Sequence, residues 1–251
     1  MNQRAALAGQ VAFVTGASSG LGRATALALA RAGASLALVA RSGHDLAAVT
    51  DELRGEGHAG LAIACDLADA EGLANAVRRA RGELGPVRVL VNAAATDAPG
   101  PVSELSVNAW DRVLAVNLRA VFLLSRLALP DMIEAGQGTI INVSSVAGKR
   151  GWANASAYCA SKFALTGFTQ ALGAEVRPYG VRACLLYPGA MATHWGVWSP
   201  EERRAERRPG SPREALPPET VAAFIAWLAT APPELVLDEA IVTPLDEQGY
   251  P

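Results

Sequence analysis

Tyr158 and Lys162 stand four positions apart in the run Tyr158-Cys159-Ala160-Ser161-Lys162, near the start of a stretch with helical apolar spacing. On a helix that spacing puts both on one face, a turn apart. A tyrosine hydroxyl titrates near ~10 in water, too high to exchange protons readily at neutral pH. A neighbouring ammonium favours the phenolate and lowers that value. Tyr158 is therefore a candidate general acid for reducing a carbonyl, or base for oxidising an alcohol. Alone, such a pair is common by chance, and an aromatic core residue beside a surface lysine would explain it. Two further signals accompany it. Ser144 and Ser145 close a β-rich run, where a hydroxyl at 145 can orient a substrate carbonyl. Asn117 interrupts the apolar run 113–124, a costly place for an amide unless its hydrogen bonds are met. A helix kink or a polar contact between helices would also account for it.

A second constellation lies near the N-terminus, in Thr15-Gly16-Ala17-Ser18-Ser19-Gly20-Leu21-Gly22. A β-rich run precedes it and a helical pattern follows at once. Gly16, Gly20 and Gly22 let the backbone turn tightly and approach a pyrophosphate with no Cβ in the way. The helix start beyond them offers free N–H groups and a positive dipole end to phosphates. A glycine-rich turn alone is weak evidence; strand before and helix after make it a dinucleotide-binding turn. The ribose reader is expected about 20 residues further on. There the chain has Ala40, Arg41 and Ser42, with no carboxylate before Asp45. Arg41 can form a charge-assisted fork with the 2′-phosphate of NADP. The pattern favours NADP(H) over NAD(H), although an ordinary surface arginine would look the same.

These side chains need elements to hold them. β-rich runs occur at 11–15, 35–40, 61–65, 87–92, 139–143, 181–187 and 240–243. Helical spacing fills the intervals at 21–32, 45–56, 69–83, 107–133, 155–177 and 218–230. Several strands are apolar throughout, as when helices cover both faces of a sheet. The alternation predicts an α/β fold, a Rossmann-type, doubly wound, mostly parallel seven-stranded sheet with helices on both faces. Right-handed crossovers put the strand C-termini, and hence the ligand, on one edge. No linker or repeat divides the pattern, so residues 1–251 are expected to form a single dinucleotide-binding and catalytic domain. Only the stretch 190–217, rich in Trp, Arg, Glu and Pro, departs from it. Its place after the sixth strand suggests a substrate lid.

Composition excludes several other classes. Half the 251 residues are apolar (51%) and 18% are charged, which rules out intrinsic disorder. With 22 basic against 24 acidic residues the net charge is −2, a poor match for nucleic acid or an anionic membrane. Cys65, Cys159 and Cys184 are odd in number and widely spaced, fitting neither a disulfide framework nor a metal site. His44, His58 and His194 form no ligand-spaced cluster, so no metal is expected. The N-terminus lacks the apolar core of a signal peptide, and the greasiest stretches carry charges or are too short for a bilayer. A soluble, cytoplasmic protein is expected.

The TGASSGLG turn, Asn117, Ser145 and Tyr158-x-x-x-Lys162, in this order and spacing, resemble the short-chain dehydrogenase/reductase family, in its compact branch of about this length. The resemblance covers essentially the whole chain. It implies an oxidoreductase that moves a hydride between nicotinamide and a carbonyl or secondary alcohol. It implies that Tyr158 is the catalytic acid/base and that Lys162 lowers its pKa and holds the nicotinamide ribose. Ser145, thirteen positions before the tyrosine, would polarise the carbonyl, and Asn117 would position a water in a proton relay. Asp66 matches the family's adenine-contacting acid, with Leu67 beside it. Asn92, Ala93 and Ala94 match the segment along the cofactor after the fourth strand. Pro188, Gly189 and Thr193 match the turn at the nicotinamide end, and Ser18, Ser19 and Leu21 belong to the phosphate turn. By the same resemblance the long helices at 107–133 and 155–177 should pack in a homodimer or homotetramer.

Three departures stand out. Asn92-Ala93-Ala94-Ala95 replaces the family's Asn-Asn-Ala-Gly, adding a methyl near the cofactor path. Ser19 occupies a position that is often basic in NADP-binding members, which counts toward NAD(H). The last strand, Leu237-Asp238-Glu239-Ala240-Ile241-Val242-Thr243-Pro244, lacks the common Asp-Gly-Gly ending. It resembles members acting on small hydroxy acids and related alcohols.

At the substrate end, Trp152, His194, Trp195 and Trp198 suggest an apolar or aromatic-lined pocket, although such tryptophans also pack under lids or between subunits. Arg203, Arg204, Arg207 and Arg208 sit in a run of mixed sign that reads as a solvated face rather than an anion site. Two rival functions are a catalytically silent NADP(H)-sensing or scaffold protein, and an epimerase or dehydratase acting on sugar nucleotides. The first usually lacks the tyrosine or lysine. The second has a longer chain and a TGxxGxxG turn. The reading favoured is an NADP(H)-dependent carbonyl reductase, reversible as an alcohol dehydrogenase, with an NAD(H)-dependent alcohol or hydroxy-acid dehydrogenase as alternative.

Overall fold

A computed structural model describes residues 6–193 and 213–247. Its strands are β1 (Val11–Thr15), β2 (Ser35–Ala40), β3 (Gly60–Ala64), β4 (Val87–Asn92), β5 (Gly138–Val143), β6 (Val181–Pro188) and β7 (Glu239–Val242). They form one sheet in the order β3-β2-β1-β4-β5-β6-β7, and every neighbouring pair is parallel. The helices are α1 (Gly20–Arg31), α2 (Gly43–Gly55), α3 (Ala70–Leu84), α4 (Val107–Leu114), α5 (Ala120–Glu134), α6 (Ser156–Val176) and α7 (Pro218–Thr230).

Side-chain alternation along the strands divides the core in two. Ala12, Val14, Leu36 and Leu38 face one layer, which packs on α1, α2 and α7. Val11, Phe13, Ala37 and Val39 face the other, which packs on α3, α5 and α6. Strands covered on both sides need apolar residues at every position, which is what their sequences carry. Phe13 is wholly buried in the sheet centre; its truncation to Ala would cost about 3–5 kcal/mol.

The chain winds outward from β1 to β2 and β3, then crosses back to β4 on the other side of β1. The crevice expected at such a reversal opens between the ends of β1 and β4, where Thr15 lies beside Asn92. Helix starts around it are capped unequally. Ser42 accepts the backbone N–H of Asp45 at the head of α2, and Asp69 and Ser106 do the same for α3 and α4. α1, which opens on the crevice, starts at Ser19 with no side-chain cap. Its first N–H groups are left to a ligand.

The apolar run read as one helix over 107–133 is broken by a π turn, Ala115–Arg119, joining α4 to α5. Asn117 sits inside that turn. The composite run Val107–Glu134 is apolar and long enough to cross a bilayer. Val113, Leu124, Ala128 and Met132 on it are nevertheless buried in the core, as in a core helix of a globular protein. Of the stretch 190–217, residues 194–212 lie outside the described residues, and with them His194, Trp195, Trp198 and the four arginines. Its base is closed by a bridge between Met191 and Leu216.

Candidate active site

The crevice is a cleft of about 1350 Å³. That exceeds the ~300–1,000 Å³ typical of pockets for drug-sized ligands, leaving room for an extended dinucleotide and a substrate. Its lining includes Gly16 with residues 18–22, Arg41 and Ser42, and Asp66 and Leu67. Ala93, Ala94, Ser145, Tyr158 and Lys162 also line it, as do Pro188, Gly189 and Thr193, and Thr193 lies over the glycine turn, its methyl 3.4 Å from where a Cβ at Gly20 would be. Asn92 is the exception. Its side chain is buried and donates to the Asn142 carboxamide at 2.8 Å, whose own amide donates to Thr169. It braces β4 against β5 rather than lining the cleft.

The glycine turn is shaped by backbone contact. Gly16 holds φ at +71°, where a Cβ would come within 3.0 Å of the Ala94 backbone. A Cβ at Gly22 would lie 2.2 Å from the Gly16 carbonyl oxygen. Thr15, a residue the sequence reading passed over, ties the two loops together. Its buried hydroxyl accepts the N–H groups of Ala93 and Ala94 at 3.1 and 3.2 Å. The uncapped helix start, the bare backbone and the cleft's volume fit a pyrophosphate-bearing dinucleotide.

At the adenosine end, charges sit near water. Arg112 pairs with Asp66 at 2.9 Å, and this hydrogen bond, helped by the Ala68 N–H, holds the Asp66 carboxyl below its usual range. Arg23 pairs with Glu52. Among the described residues no carboxylate lies within ion-pair distance of Arg41, which is exposed. Ser42 lines the cleft but is also the cap of α2. Arg112 was not foreseen, because its partner lies 46 residues away and no local motif marks the arginine.

The catalytic end is dry. Tyr158 is 8% exposed and Lys162 only 2%. The two serines divide as the strand's alternation requires: Ser144 turns into the core toward the Lys162 carbonyl, whereas Ser145 hydrogen-bonds the Tyr158 phenol. Lys162 donates to the Val143 carbonyl at 2.8 Å, with its Nζ 5.6 Å from the centre of the Tyr158 ring. Burial pushes its ammonium down to about 7. Burial also pushes the Tyr158 phenol well above the ordinary tyrosine value; the Ser145 hydrogen bond opposes this and the charge of Asp97 adds to it. The lowering expected from the lysine does not prevail, since desolvation works against the charged form of both groups.

Asn117 is fully buried with every amide group engaged. Its oxygen accepts the Thr96 N–H at 2.8 Å, while its NH₂ donates to the Thr96 carbonyl at 2.8 Å and to Ser161 Oγ at 3.0 Å. Ser161 in turn donates to the Tyr158 carbonyl at 2.7 Å. The carboxamide is therefore a clamp from the π turn onto the loop after β4 and the tyrosine's helix; both its N–H donors are taken, and its oxygen keeps one further acceptor site. The methyl of Ala95 packs against Ala147, Ala155, Tyr158 and Cys159. Trp152 lines the cleft and is half exposed. Glu247, which no sequence signal marked, also lines it and accepts the Ala190 N–H at 3.0 Å. Among the described residues no cluster of His, Cys, Asp and Glu is placed to hold a metal ion.

Comparison with known proteins agrees with this geometry. Residues 10–203 match the family model for short chain dehydrogenases. The chain is 38% identical to the cis-4-hydroxycyclohexanecarboxylate dehydrogenase of Sinomonas cyclohexanicum over 90% of its own length and 91% of the relative's. It is 37% identical to the D-threitol dehydrogenase of Mycolicibacterium smegmatis, covering 87% of this chain and 85% of that one. It spans 62% of a short chain dehydrogenase from Pseudocercospora fijiensis, at 39% identity over 76% of its own length. A metagenomic short-chain oxidoreductase solved in complex with NADP superposes with a TM-score of 0.83 at 35% identity, covering 96% of this chain and 99% of that one. Fold, site and relatives agree: the chain is an oxidoreductase of the short-chain dehydrogenase/reductase family.

Proposed function

We propose that the protein is an NADP(H)-dependent oxidoreductase that interconverts a carbonyl and a secondary alcohol. The observation that carries this reading is the Ser145–Tyr158 hydrogen bond, buried at one end of a cleft whose other end presents Arg41. A bound nicotinamide supplies or accepts the hydride. Ser145 donates to the substrate oxygen and fixes its position beside the phenol. Tyr158, protonated across the neutral range because it is buried, gives its proton to the oxygen as the alcohol forms. Lys162 holds positive charge beneath the phenol and so stabilises the phenolate that remains. Arg41 would grip a 2′-phosphate, and the α1 start the pyrophosphate.

A second reading, NAD(H) as cofactor, is favoured by one observation: the Asp45 carboxylate also lines the ribose end of the cleft. Dissociation constants for NADPH and NADH separate the two. Tighter NADPH binding supports the first reading, and tighter NADH binding overturns it. NADPH oxidation with a panel of ketones, aldehydes and oxo acids then tests the activity itself.

The protein is also proposed to be a homo-oligomer. Phe122 and Phe163 are each 46% exposed on the outer faces of α5 and α6. Leu118, Phe122, Ala164 and Phe168 line an open apolar groove between these helices. A light-scattering mass of two or four chains supports association, and a mass of one chain contradicts it.

A further inference from the structure

The chain after β6 reaches back over the cleft as an arm, residues 188–193, all of which except Ala192 line it. At its tip is Thr193, whose methyl stands over the glycine turn. Two segments distant in sequence back this arm. On one side Met191 pairs with Leu216, whose N–H donates to the Ala190 carbonyl at 2.9 Å and whose carbonyl accepts the Ala192 N–H at 2.9 Å. On the other side stands the segment that follows β7. Gly189 donates to the Val242 carbonyl at 2.9 Å, and the Glu247 carboxylate accepts the Ala190 N–H at 3.0 Å. That carboxylate presses so close that a Cβ on Gly189 would come within 2.7 Å of it.

The two backing segments are also tied to each other. Asp246 donates its N–H to the Arg213 carbonyl at 2.7 Å, and its carboxylate takes the Arg213 guanidinium in a fork at 2.9 and 3.0 Å. The Glu247 N–H donates to the Pro244 carbonyl at 3.2 Å, closing the turn that presents both acids. Residues 243–247 therefore grip the arm through Glu247 and the arm's backing through Asp246. Arg213 and Asp246 are both exposed, and an exposed ion pair adds little to global stability. What such contacts do is fix a loop. A loop already ordered in the free protein does not have to be ordered when a ligand binds, and the affinity is higher by that difference.

Resting on the proposed use of a nicotinamide dinucleotide, we propose that Asp246 and Glu247 are positioning residues for that cofactor: the segment 243–247 straps the arm 188–193 across the cleft and slows the dinucleotide's departure. The strap acts through the arm, by the Glu247–Ala190 and Asp246–Arg213 contacts together. The arm's tip lies over the glycine turn, which serves the pyrophosphate that both nucleotides share. The strap therefore acts on NADPH and NADH alike.

The test measures dissociation constants and stopped-flow dissociation rates of NADPH and NADH on the full-length protein. Arg213→Glu and Asp246→Arg should each weaken both nucleotides by about fivefold, the upper range for an exposed pair, and mainly through faster dissociation. The double exchange, which restores the pair with its charges reversed, should return both constants to within about twofold of wild type. Glu247→Ala should weaken both by about tenfold, as for loss of a hydrogen bond to a charged group. Glu247→Gln, which keeps an acceptor oxygen, should recover most of that loss. Recovery in the double exchange and in Glu247→Gln separates positioning from general unfolding. Wild-type constants in Arg213→Glu and Asp246→Arg, no recovery in the double exchange, or weakening confined to one nucleotide each overturn the inference while leaving the cofactor reading intact. Failure of the wild type to bind either nucleotide overturns the cofactor reading and this inference with it.

Discussion

The two ends of the cleft work by opposite electrostatics. At the proposed adenosine end, Arg41, Asp66 and Arg112 stand near water, in positions where their charges are partly screened. They are suited to recognising a charged ligand, with contacts the ligand itself completes. At the catalytic end, Tyr158 and Lys162 are removed from water, and both resist their charged forms. An active site of this kind trades stability for chemistry: the buried ammonium destabilises the folded chain and gains its use when a phenolate must form beside it. Recognition is exposed and modular, whereas catalysis depends on burial and on the clamps that maintain it.

The contrast can be pressed hardest at Lys162. Replacement by Met should lower kcat by about 10²–10⁴-fold, the range of a lost acid–base contribution. The same change should raise Tm at pH 7, because it removes a desolvated charge whose hydrogen bond is to the Val143 carbonyl. The sign follows from linkage. The folded-state value, about 7, lies below the ordinary lysine value. Lys162 therefore destabilises most below pH 7, where the folded chain must hold the ammonium, and the penalty fades as pH rises from 7 toward 10. The Tm gap between the variant and the wild type should accordingly narrow on going from pH 6 to pH 9. A Tm below wild type at every pH would show that the lysine is a net structural support.

At the exposed end the effect should be confined to affinity. Arg41→Ala should weaken NADPH binding by about 10–100-fold, as for loss of a charged hydrogen bond, and leave NADH within about twofold. Added salt should shrink the difference. Equal weakening of both nucleotides would show that Arg41 does not read the phosphate. The clamp between the two ends should show the smallest effect on binding and a distinct one on stability. Asn117→Ala strands the buried groups of Thr96 and Ser161 and should cost about 1–3 kcal/mol in denaturant unfolding. A loss below the scatter of such measurements would mean that the loop after β4 is held by other contacts.

How much of this was legible in the sequence also differs between the two regions. The sheet, its strands and six of the helical stretches were readable because apolar periodicity records burial directly, and the observed bounds fall within two residues of those expected. The residues proposed for catalysis stood out as candidates because their chemistry demands particular types at fixed spacing. What periodicity could not show was pairing between distant loops. Thr15 holding Ala93 and Ala94, Arg112 on Asp66, and Asn117 on Thr96 are joined only once the strands are in register. The π turn was visible only as an amide out of place. Asn92 was misplaced for a related reason: it ends β4 beside the cleft, but strand alternation turns its side chain into the sheet's interior, toward Asn142. The balance of burial against charge at Tyr158 and Lys162 was also beyond sequence, since spacing shows who is adjacent and not how much water is left.

The most direct test of the account is Tyr158→Phe, measured as kcat for NADPH-dependent ketone reduction alongside NADPH affinity by fluorescence titration. The ring and its packing are retained, and only the proton donor is removed. The account predicts a loss of about 10²–10⁴-fold in kcat, with the NADPH dissociation constant changed by less than about threefold, under 1 kcal/mol. Retention of more than a tenth of wild-type kcat would contradict it, because the proton would then have to come from a group other than the buried phenol.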